Sequence, residues 1–344
     1  MHQQENLSWF LGHNEIEHPL ALQIGGSDAD KIEAAITLAE NYGGIFSEYN
    51  LNCGCPSPKV ANKGCFGARL MLEPEKVRDI ARGMIRSANG KKVTIKCRLG
   101  VDDIDSYESL HSFIATTSQS GVQHYIIHAR KCLLNGLSPK DNRRIPPLQY
   151  EKVFRLVQDF PHLSFSLNGG IQNIIEASSL LSTNESEEVA LGGVMIGRAA
   201  YNNPWILRNV DTAIFNEPSN PNLSRREIVA NYLDYCEALQ DKYGHALTTE
   251  TPLGVHNSVL MRPLLTLFTG ERGGKAYKRT LSSKLQSRKN NPSALRQVVE
   301  SAMEEFLSSE VLDERASDEQ TSDSNEAASE EPTGEEVANE ELNI

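Results

Sequence analysis

The sequence predicts an α/β fold, a TIM (β/α)8-type barrel that is incomplete at its N-terminal side, with about six of eight strands. Two observations favour this fold. Six short, mostly apolar runs recur, and each is followed by a segment long enough for a crossover helix. In chain order they read HPLALQIGG, EYNLN, KVTIKCR, HYIIHAR, LSFSLNGG and GGVMIGR. Each run also ends on polar or glycine residues, at the edge where a β/α barrel carries its chemistry.

The segments between the runs have helical patterns. After the first run, Ser27 and Asp30 form a capping pattern, Ile32 and Ile36 belong to one apolar stripe, and Gly43 ends the helix. We therefore expect residues 1–212 to form the barrel. Residues 213–223 are rich in Pro, Asn and Ser and predict a linker.

A helical domain is predicted to follow the linker over residues 224–308. Its first residues, Ser224 to Glu227, form an S-R-R-E capping box. Residues 262–296 contain nine Lys and Arg against one acidic residue, Glu271. This bias is typical of a surface that binds a phosphodiester backbone, although a solvated basic face has the same composition.

The negative charge of the chain is concentrated at its C-terminal end. The formal net charge is -12, and residues 310–344 alone contain thirteen Asp and Glu with one basic residue, Arg315. The preceding residues are balanced, so the acidic composition does not exclude anionic partners. Residues 309–344 have little to bury and are predicted to be a disordered acidic tail.

Composition excludes several classes of protein. No apolar run approaches the roughly 18 residues of a membrane span, and the N-terminal residues lack the order of a signal peptide. We expect an intracellular protein, cytoplasmic or organellar, with no membrane partner. Six cysteines in 344 residues are too few for a disulfide scaffold. Cys53 and Cys55 have no second pair at zinc-ligand spacing, so no metal site is expected.

The ends of the six predicted strands offer chemically capable groups. They are Gln23, Asn52 with Cys55, Lys96, His128 with Arg130, Asn168-Gly169-Gly170, and Gly197-Arg198. A single polar residue at a strand end is usually structural, but six successive ends indicate a site. Glycines in the last two let a ligand approach the backbone, as in barrels that bind phosphate after strands seven and eight. On that count the present strands are numbers three to eight.

Longer motifs resemble those of a known family. They are ALQIGGSD, NLNCGCPSPKV, FGARLM, TIKCRLGVDDIDSYE, IIHARK, LLNGLSPKDNRRIPPL, FSLNGGI and GVMIGRAAYNNPW. In order and spacing, from about residue 19 to 300, they resemble the flavin-dependent tRNA-dihydrouridine synthases, specifically the A subfamily. The resemblance implies a barrel that holds FMN, a helical domain that binds tRNA, and NADPH as the reductant.

The resemblance also implies roles for individual residues. The cysteine of the GCP motif, Cys55, is the implied proton donor to C5 of a D-loop uridine, the hydride at C6 coming from FMN. Cys53 and Cys65 compete for this role, and Cys55 ranks first because it belongs to the GCP turn. The implied ligands of FMN are Gln23, Lys96 and His128 at the ring, and Asn168, Gly169, Gly170, Gly197 and Arg198 at the phosphate. The implied contacts to the uridine and the tRNA are Asn52, Arg130, Lys140, Asn142, Arg143, Lys278 and Arg279.

Two strands that the family places before this region are not found upstream of His18. An incomplete gene model or isoform is the favoured explanation, and the others are a partner chain that completes the barrel or a fragment without catalysis. Two alternative functions stay open: a tRNA-binding protein without redox activity, and an FMN barrel that reduces a small pyrimidine. Flavin absorbance and salt-dependent tRNA binding separate them.

Overall fold

Six parallel strands form one sheet in a computed structural model, which describes residue 7 and residues 10–63, 65–182, 190–243, 260–286 and 295–316. The strands are β1 (Ala21–Ile24), β2 (Glu48–Cys53), β3 (Lys92–Arg98), β4 (His124–His128), β5 (Ser164–Asn168) and β6 (Gly193–Met195). Each strand pairs with the next along the chain, so the order is β1 to β6. The predicted α/β fold and the count of six strands are confirmed. Among the described residues the sheet is open, with β1 and β6 at its edges.

Helices follow the strands as the predicted crossovers require. They are α1 (Ala29–Asn41), α2 (Pro74–Ser87), α3 (Tyr107–Ser118), α4 (Tyr150–Asp159), α5 (Ile174–Ser182) and α6 (Arg198–Asn202). The α1 cap differs from the predicted one, because Asp28 is the N-cap and its carboxylate accepts the Lys31 amide at 3.2 Å. The apolar stripe of α1 is buried as expected, at Ile32 and Ile36.

The two faces of the sheet differ in polarity. Tyr49, Leu51 and Cys53 of β2 are fully buried in the main core, on the face covered by the helices. Side chains alternate along a strand, so Asn50 and Asn52 lie on the opposite face. The same alternation continues along β3 and β5, and along β4 except at Ile126, which is the apolar residue of that strand on the inner face. The sheet is therefore apolar toward its helices and polar on the face that a barrel turns inward, which positions the site.

A second core belongs to the C-terminal helices. Helix α7 (Val210–Phe215) precedes them and packs against α5, where the Ser178 hydroxyl donates to the Ala213 carbonyl at 3.4 Å. The helices of the second core are α8 (Arg225–Tyr243), α9 (Gly274–Gln286), α10 (Leu295–Phe306) and α11 (Ser309–Asp313). The predicted capping box at the start of α8 is present, since the Ser224 amide donates to Glu227 at 2.8 Å and the Glu227 amide donates to the Ser224 hydroxyl at 3.2 Å. The buried Trp205 and Arg225 join this core, with the guanidinium 4.5 Å from the indole ring.

The domain boundaries differ in detail from the predicted ones. Helix α7 crosses the boundary placed at residue 212, and α11 lies beyond the boundary placed at residue 308. Leu312 explains the second difference, because it is 2% exposed and packs in the helical core. The rest of the predicted tail, residues 317–344, lies outside the described residues. No described helix has both the length and the apolar character that crossing a bilayer requires.

Candidate active site

The inner-face side chains at the carboxyl ends of the strands come together in register. Asn52 of β2 pairs with Lys96 of β3, Arg98 with His128 of β4, and His128 with Asn168 of β5. Asn52 and Lys96 lie one inward-facing position before Arg98, His128 and Asn168, and adjacent strands are about 4.8 Å apart. Lys96 and Arg98 on β3 join the two levels, and we call these side chains together the row. The sheet thus brings the predicted strand-end residues to one surface.

Amide side chains organise the β1 and β2 end of this row. The Gln23 amide donates to Asn50 Oδ1 at 2.8 Å, and Asn52 Nδ2 donates to Gln23 Oε1 at 3.0 Å. Asn52 Oδ1 accepts the backbone amides of Gly54 and Cys55 at 3.0 and 3.1 Å. Asn52 therefore fixes the turn that carries Cys55, a role in addition to the predicted contact with the uridine.

The Cys55 turn is also held by the loop that follows it. The Cys55 carbonyl accepts the Ala68 amide at 2.9 Å. Gly67 has a φ of 66°, and a Cβ at that position would lie 2.6 Å from the Cys55 oxygen. Only glycine permits this approach without distortion. Cys55 itself is half-buried.

The other two candidate cysteines are placed differently. Cys53 is 0% exposed in the core on the helix-covered face, and this burial raises the pKa of its thiol. The opposite orientation of its side chain removes Cys53 from the competition for proton donor. Cys65 is exposed and adopts a φ of 50°. The ranking of Cys55 above Cys65 stays a prediction.

Basic side chains dominate the centre of the row. Burial, together with the nearby Arg98 charge, lowers the pKa of Lys96 from 10.5 to about 8. Burial and the charges of Arg98 and Lys96 lower the pKa of His128 to about 2, so its imidazole is neutral. Within the described part of the chain, Lys96 Nζ and the buried His128 Nδ1 have no hydrogen-bond partner. Unpartnered donors of this kind fit an anionic or hydrogen-bonding ligand.

Arg98 was not among the predicted site residues. It is 4% exposed, and its guanidinium donates to the carbonyls of Gly54 at 3.2 Å and Asn142 at 2.9 Å. Arg98 thereby connects the turn before Cys55 to the loop after β4. Its position two residues after Lys96, and hence on the same face of β3, is the sequence signal that could have identified it.

The glycines after β5 have left-handed conformations. Gly169 and Gly170 have φ values of 111° and 86°, and a Cβ on Gly170 would lie 2.6 Å from Leu148 Cδ1. The Tyr150 hydroxyl donates to the Gly169 carbonyl at 2.5 Å, and Asn168 Nδ2 donates to the Met195 carbonyl at 2.7 Å. These contacts hold the end of β5 against α4 and β6, respectively. The NGG turn, which the sequence predicts to admit a ligand, is thus also required for local packing.

A cleft of about 280 Å³ opens beside the ends of β5 and β6. It is lined by Gln172, Arg198, Ala199, Asn202, Asn203 and Ile206. Gly197 is exposed, and a Cβ placed on it would have no heavy atom within 4 Å. Arg198 is also exposed, and its guanidinium donates to the Arg143 carbonyl at 3.1 Å. A basic residue and an open glycine here are compatible with the predicted phosphate position.

The loop after β4, which the sequence predicts to contact tRNA, has both exposed and buried polar side chains. Lys140 is exposed, and the Arg130 guanidinium donates to the Pro146 carbonyl. Asn142 is 0% exposed and its amide pairs with the Leu133 backbone at 2.7 and 2.9 Å. The prediction that Asn142 contacts tRNA is therefore wrong, because the oxygen and the nitrogen of its side chain both bond to the Leu133 backbone and close the loop. Arg143 is half-buried at the same place.

The basic region of the helical domain is partly exposed. Arg272, Lys275, Lys278 and Arg279 are exposed and form what we call the α9 basic face. Tyr277 and Leu281 are buried on the opposite side of α9. Arg296 was counted with these cations but pairs with Asp234, Glu237 and Glu300. Arg288 and Lys289 lie outside the described residues.

A metal centre is not found in the parts of the chain that the structure describes. Within the described chain, the parallel sheet, the basic row at its carboxyl edge and the fixed cysteine turn define an α/β protein with unpaired basic groups and a thiol at the edge where β/α barrels carry their chemistry. The chain belongs to the dihydrouridine synthase family, whose family model matches residues 2–306. This confirms the resemblance found in the sequence motifs. Membership makes the chain an enzyme, an oxidoreductase of the flavin-dependent kind.

Individual relatives cover most of the chain. It is similar to the tRNA-dihydrouridine(20/20a) synthase of Vibrio cholerae, at 39% identity over 303 residues, which are 88% of this chain and 84% of that protein. The enzyme of the same name from Shigella flexneri is 44% identical over 274 residues, 79% and 74% of the two chains. A solved structure of DHODH from Eimeria tenella with ferulenol has a TM-score of 0.40 at 14% identity, over 62% of each chain. That likeness is too low to support an argument.

Proposed function

We propose that this chain is an FMN-dependent tRNA-dihydrouridine synthase that reduces the C5=C6 bond of D-loop uridines, with NADPH as the reductant. The observation that carries the proposal is the Cys55 turn, fixed by Asn52 and Arg98 at the edge of the basic row. The family and the names of the relatives supply the substrate class. A tRNA substrate implies an intracellular location, cytoplasmic or organellar.

The residues of the row fit FMN. Gln23, Lys96 and His128 would hold the ring, and Asn168 to Gly170 with Gly197 and Arg198 would hold the phosphate. When bound, FMN would supply the hydride for C6. Lys96, whose pKa is about 8, is mostly charged at neutral pH and favours an anionic ligand beside it. His128 is neutral, so one ring nitrogen can donate a hydrogen bond while the other accepts one.

The proton for C5 would come from Cys55 Sγ. General acid catalysis requires the donor to be held at a fixed position, and the Cys55 turn is held by three sets of hydrogen bonds. The target base leaves its stack to reach the row, which costs a few kcal/mol. The α9 basic face, including Lys278 and Arg279, would offset that cost by attracting the RNA backbone.

The test compares Cys55→Ala with Cys65→Ala. We expect Cys55→Ala to keep bound flavin and its reduction by NADPH while dihydrouridine formation falls by about 10²-fold or more, the range of a lost general acid. Cys65→Ala serves as the matched control and keeps full turnover. Dihydrouridine is measured by mass spectrometry of digested tRNA. Full turnover by Cys55→Ala would remove this cysteine from the mechanism and promote Cys65.

The same measurements separate the two alternatives. A colourless protein that binds tRNA would favour the RNA-binding protein without redox activity. A yellow protein that reduces free pyrimidines and does not shift tRNA would favour the small-molecule reductase.

A further inference from the structure

The α9 basic face carries an uncompensated positive charge. Helix α9 contains no acidic residue, and the one acidic side chain close before it, Glu271, is paired with Arg225 at 2.6 Å. Among the described residues, none of the four cations of the face forms an ion pair. Lys275, Lys278 and Arg279 are spaced so that they share one side of the helix. The face is therefore available to a polyanion.

The chain leaves the helical domain beside this face. Arg225 is 2% exposed and binds both Glu271 and Glu314, the latter at 3.0 Å. Two further pairs, Arg226 with Asp313 and Arg315 with Glu227, are 2.8 and 2.9 Å long. Residues 313–315 are thus fixed to the domain. Because Glu271 lies three residues before α9, the last described residues, up to Ala316, lie near the N-terminal end of that helix.

The segment that follows is a polyanion attached at that point. Residues 317–344 contain ten Asp and Glu and no Lys or Arg. If this segment is disordered, as its sequence predicts, its 28 residues would span roughly 30 Å, whereas the 13 residues of α9 extend about 20 Å. The whole face therefore lies within reach, and attachment raises the effective concentration of the segment to about the millimolar range.

We propose that residues 317–344 bind the α9 basic face of their own chain and compete there with the RNA backbone. The contact itself requires only the charges described above, and its effect on RNA rests on the proposed function. An RNA that makes only backbone contacts with α9 would be displaced by the segment. A tRNA that also inserts a uridine into the strand-end site would keep its additional contacts. The segment thus lowers binding of RNA in general, most of all at low salt.

The contact is tested without RNA by zero-length carbodiimide cross-linking of the full chain, followed by peptide mapping. We expect Lys275 and Lys278 to be joined to carboxylates of residues 317–344 in low salt. The products should disappear in about 1 M salt, where the Debye length is about 3 Å. Lys31 on α1, with a side chain that is 85% exposed, is the control: it lies 3.3 Å from Asp28 and can be joined to that carboxylate, but it should not be joined to residues 317–344. An absence of α9 products, or equal joining of Lys31 to residues 317–344, would overturn the proposal.

The competition is tested by titrating unmodified tRNA transcript into three proteins. They are the full chain, a chain that ends at Ala316, and a full-length chain with the ten acidic residues changed to Gln or Asn. In low salt we expect both altered proteins to bind about fivefold more tightly than the full chain, the factor given by a segment whose effective concentration is about four times the Kd of its contact with α9. The gain should shrink when Lys278→Ala and Arg279→Ala are also present, because two of the four cations of the shared surface are then gone.

Each outcome of the titration is decisive. Equal affinities of the three proteins, or a gain from truncation that charge neutralisation does not reproduce, would refute charge-based competition. If none of the proteins binds tRNA, the proposed function fails while the cross-linking result still decides whether the segment contacts α9.

Discussion

Replacement of Lys96 by Met is expected to stabilise the fold and to weaken the binding of flavin. Lys96 lies on the inner face of β3 with no partner for its Nζ among the described residues, and burial is the main cause of its lowered pKa. A pKa lowered from 10.5 to about 8 corresponds to roughly 3 kcal/mol of folding free energy. Met has a similar length and carries no charge, so the variant avoids this cost.

The stability difference depends on pH in a defined direction. Below about pH 8 Lys96 is protonated in both the folded and the unfolded chain, and the folded state bears the full cost of the buried charge. Between pH 8 and 10.5 the unfolded chain binds more protons, so wild-type stability rises with pH. The free energy of unfolding of Lys96→Met should therefore exceed that of wild type most below pH 8, and the difference should disappear by about pH 10.5. Because Lys96 keeps some contact with solvent, we expect about 2 kcal/mol at pH 7.

The assay is urea denaturation of flavin-free protein at several pH values, together with a flavin titration. Lys31→Met is the matched control, because its exposed side chain should leave stability within about 0.5 kcal/mol of wild type. The affinity of Lys96→Met for FMN should fall while its stability rises, a combination that general damage to the fold does not produce. A destabilised Lys96→Met protein at pH 7, or a stability gap that stays constant up to pH 10.5, would refute the reasoning.

Two further predictions concern the helical domain and the glycine turn. Lys278→Ala with Arg279→Ala should weaken tRNA binding and reduce its salt slope by up to about 2, measured by titration at several salt concentrations. The control is Lys31→Ala with Arg82→Ala. If the salt slope of the α9 variant equals that of the control, the α9 basic face does not contact the RNA backbone and is only a solvated surface. Gly170→Ala should lower stability by about 1 to 3 kcal/mol in thermal denaturation, because the new Cβ meets Leu148. Gly90→Ala is the control, because Gly90 has a φ of 79° but no heavy atom within 4 Å of the new Cβ. An equal loss of stability in Gly90→Ala would mean that backbone strain, and not the contact with Leu148, destabilises Gly170→Ala.

Much of the fold could be predicted because parallel strands leave a local signal. Each predicted run overlaps one observed strand, with β2 one residue longer than its run, and the polar residue at the end of the run lies at the carboxyl edge of the sheet. The capping box of α8 is equally local, since Ser224 and Glu227 are three residues apart. The inner polarity of the sheet was not expected from the apolar runs. Thr94 and Asn50 lie within those runs, and the side chains of the two residues pair with each other at 2.7 Å.

The errors concern polar residues in loops and on helix surfaces, where composition does not determine the partner. Asn142 occurs in a basic, polar segment, yet its amide closes the loop onto the Leu133 backbone. Arg296 occurs in a basic region, yet α8 places Asp234 and Glu237 beside it. In both cases the decisive partner is more than five residues away, and only the folded chain brings the two together.

Arg98 shows what a stricter use of strand geometry would have found. A residue two positions after Lys96 must lie on the same face of β3, and a buried arginine must be hydrogen-bonded. The available acceptors at the end of a strand are the backbone carbonyls of neighbouring loops, and these are the groups that Arg98 uses, at Gly54 and Asn142. The charge of Arg98 also contributes to the lowered pKa values of Lys96 and His128. One side chain therefore fixes the Cys55 turn and sets the electrostatics of the row beside it, so the geometry and the charge of the site cannot be altered independently.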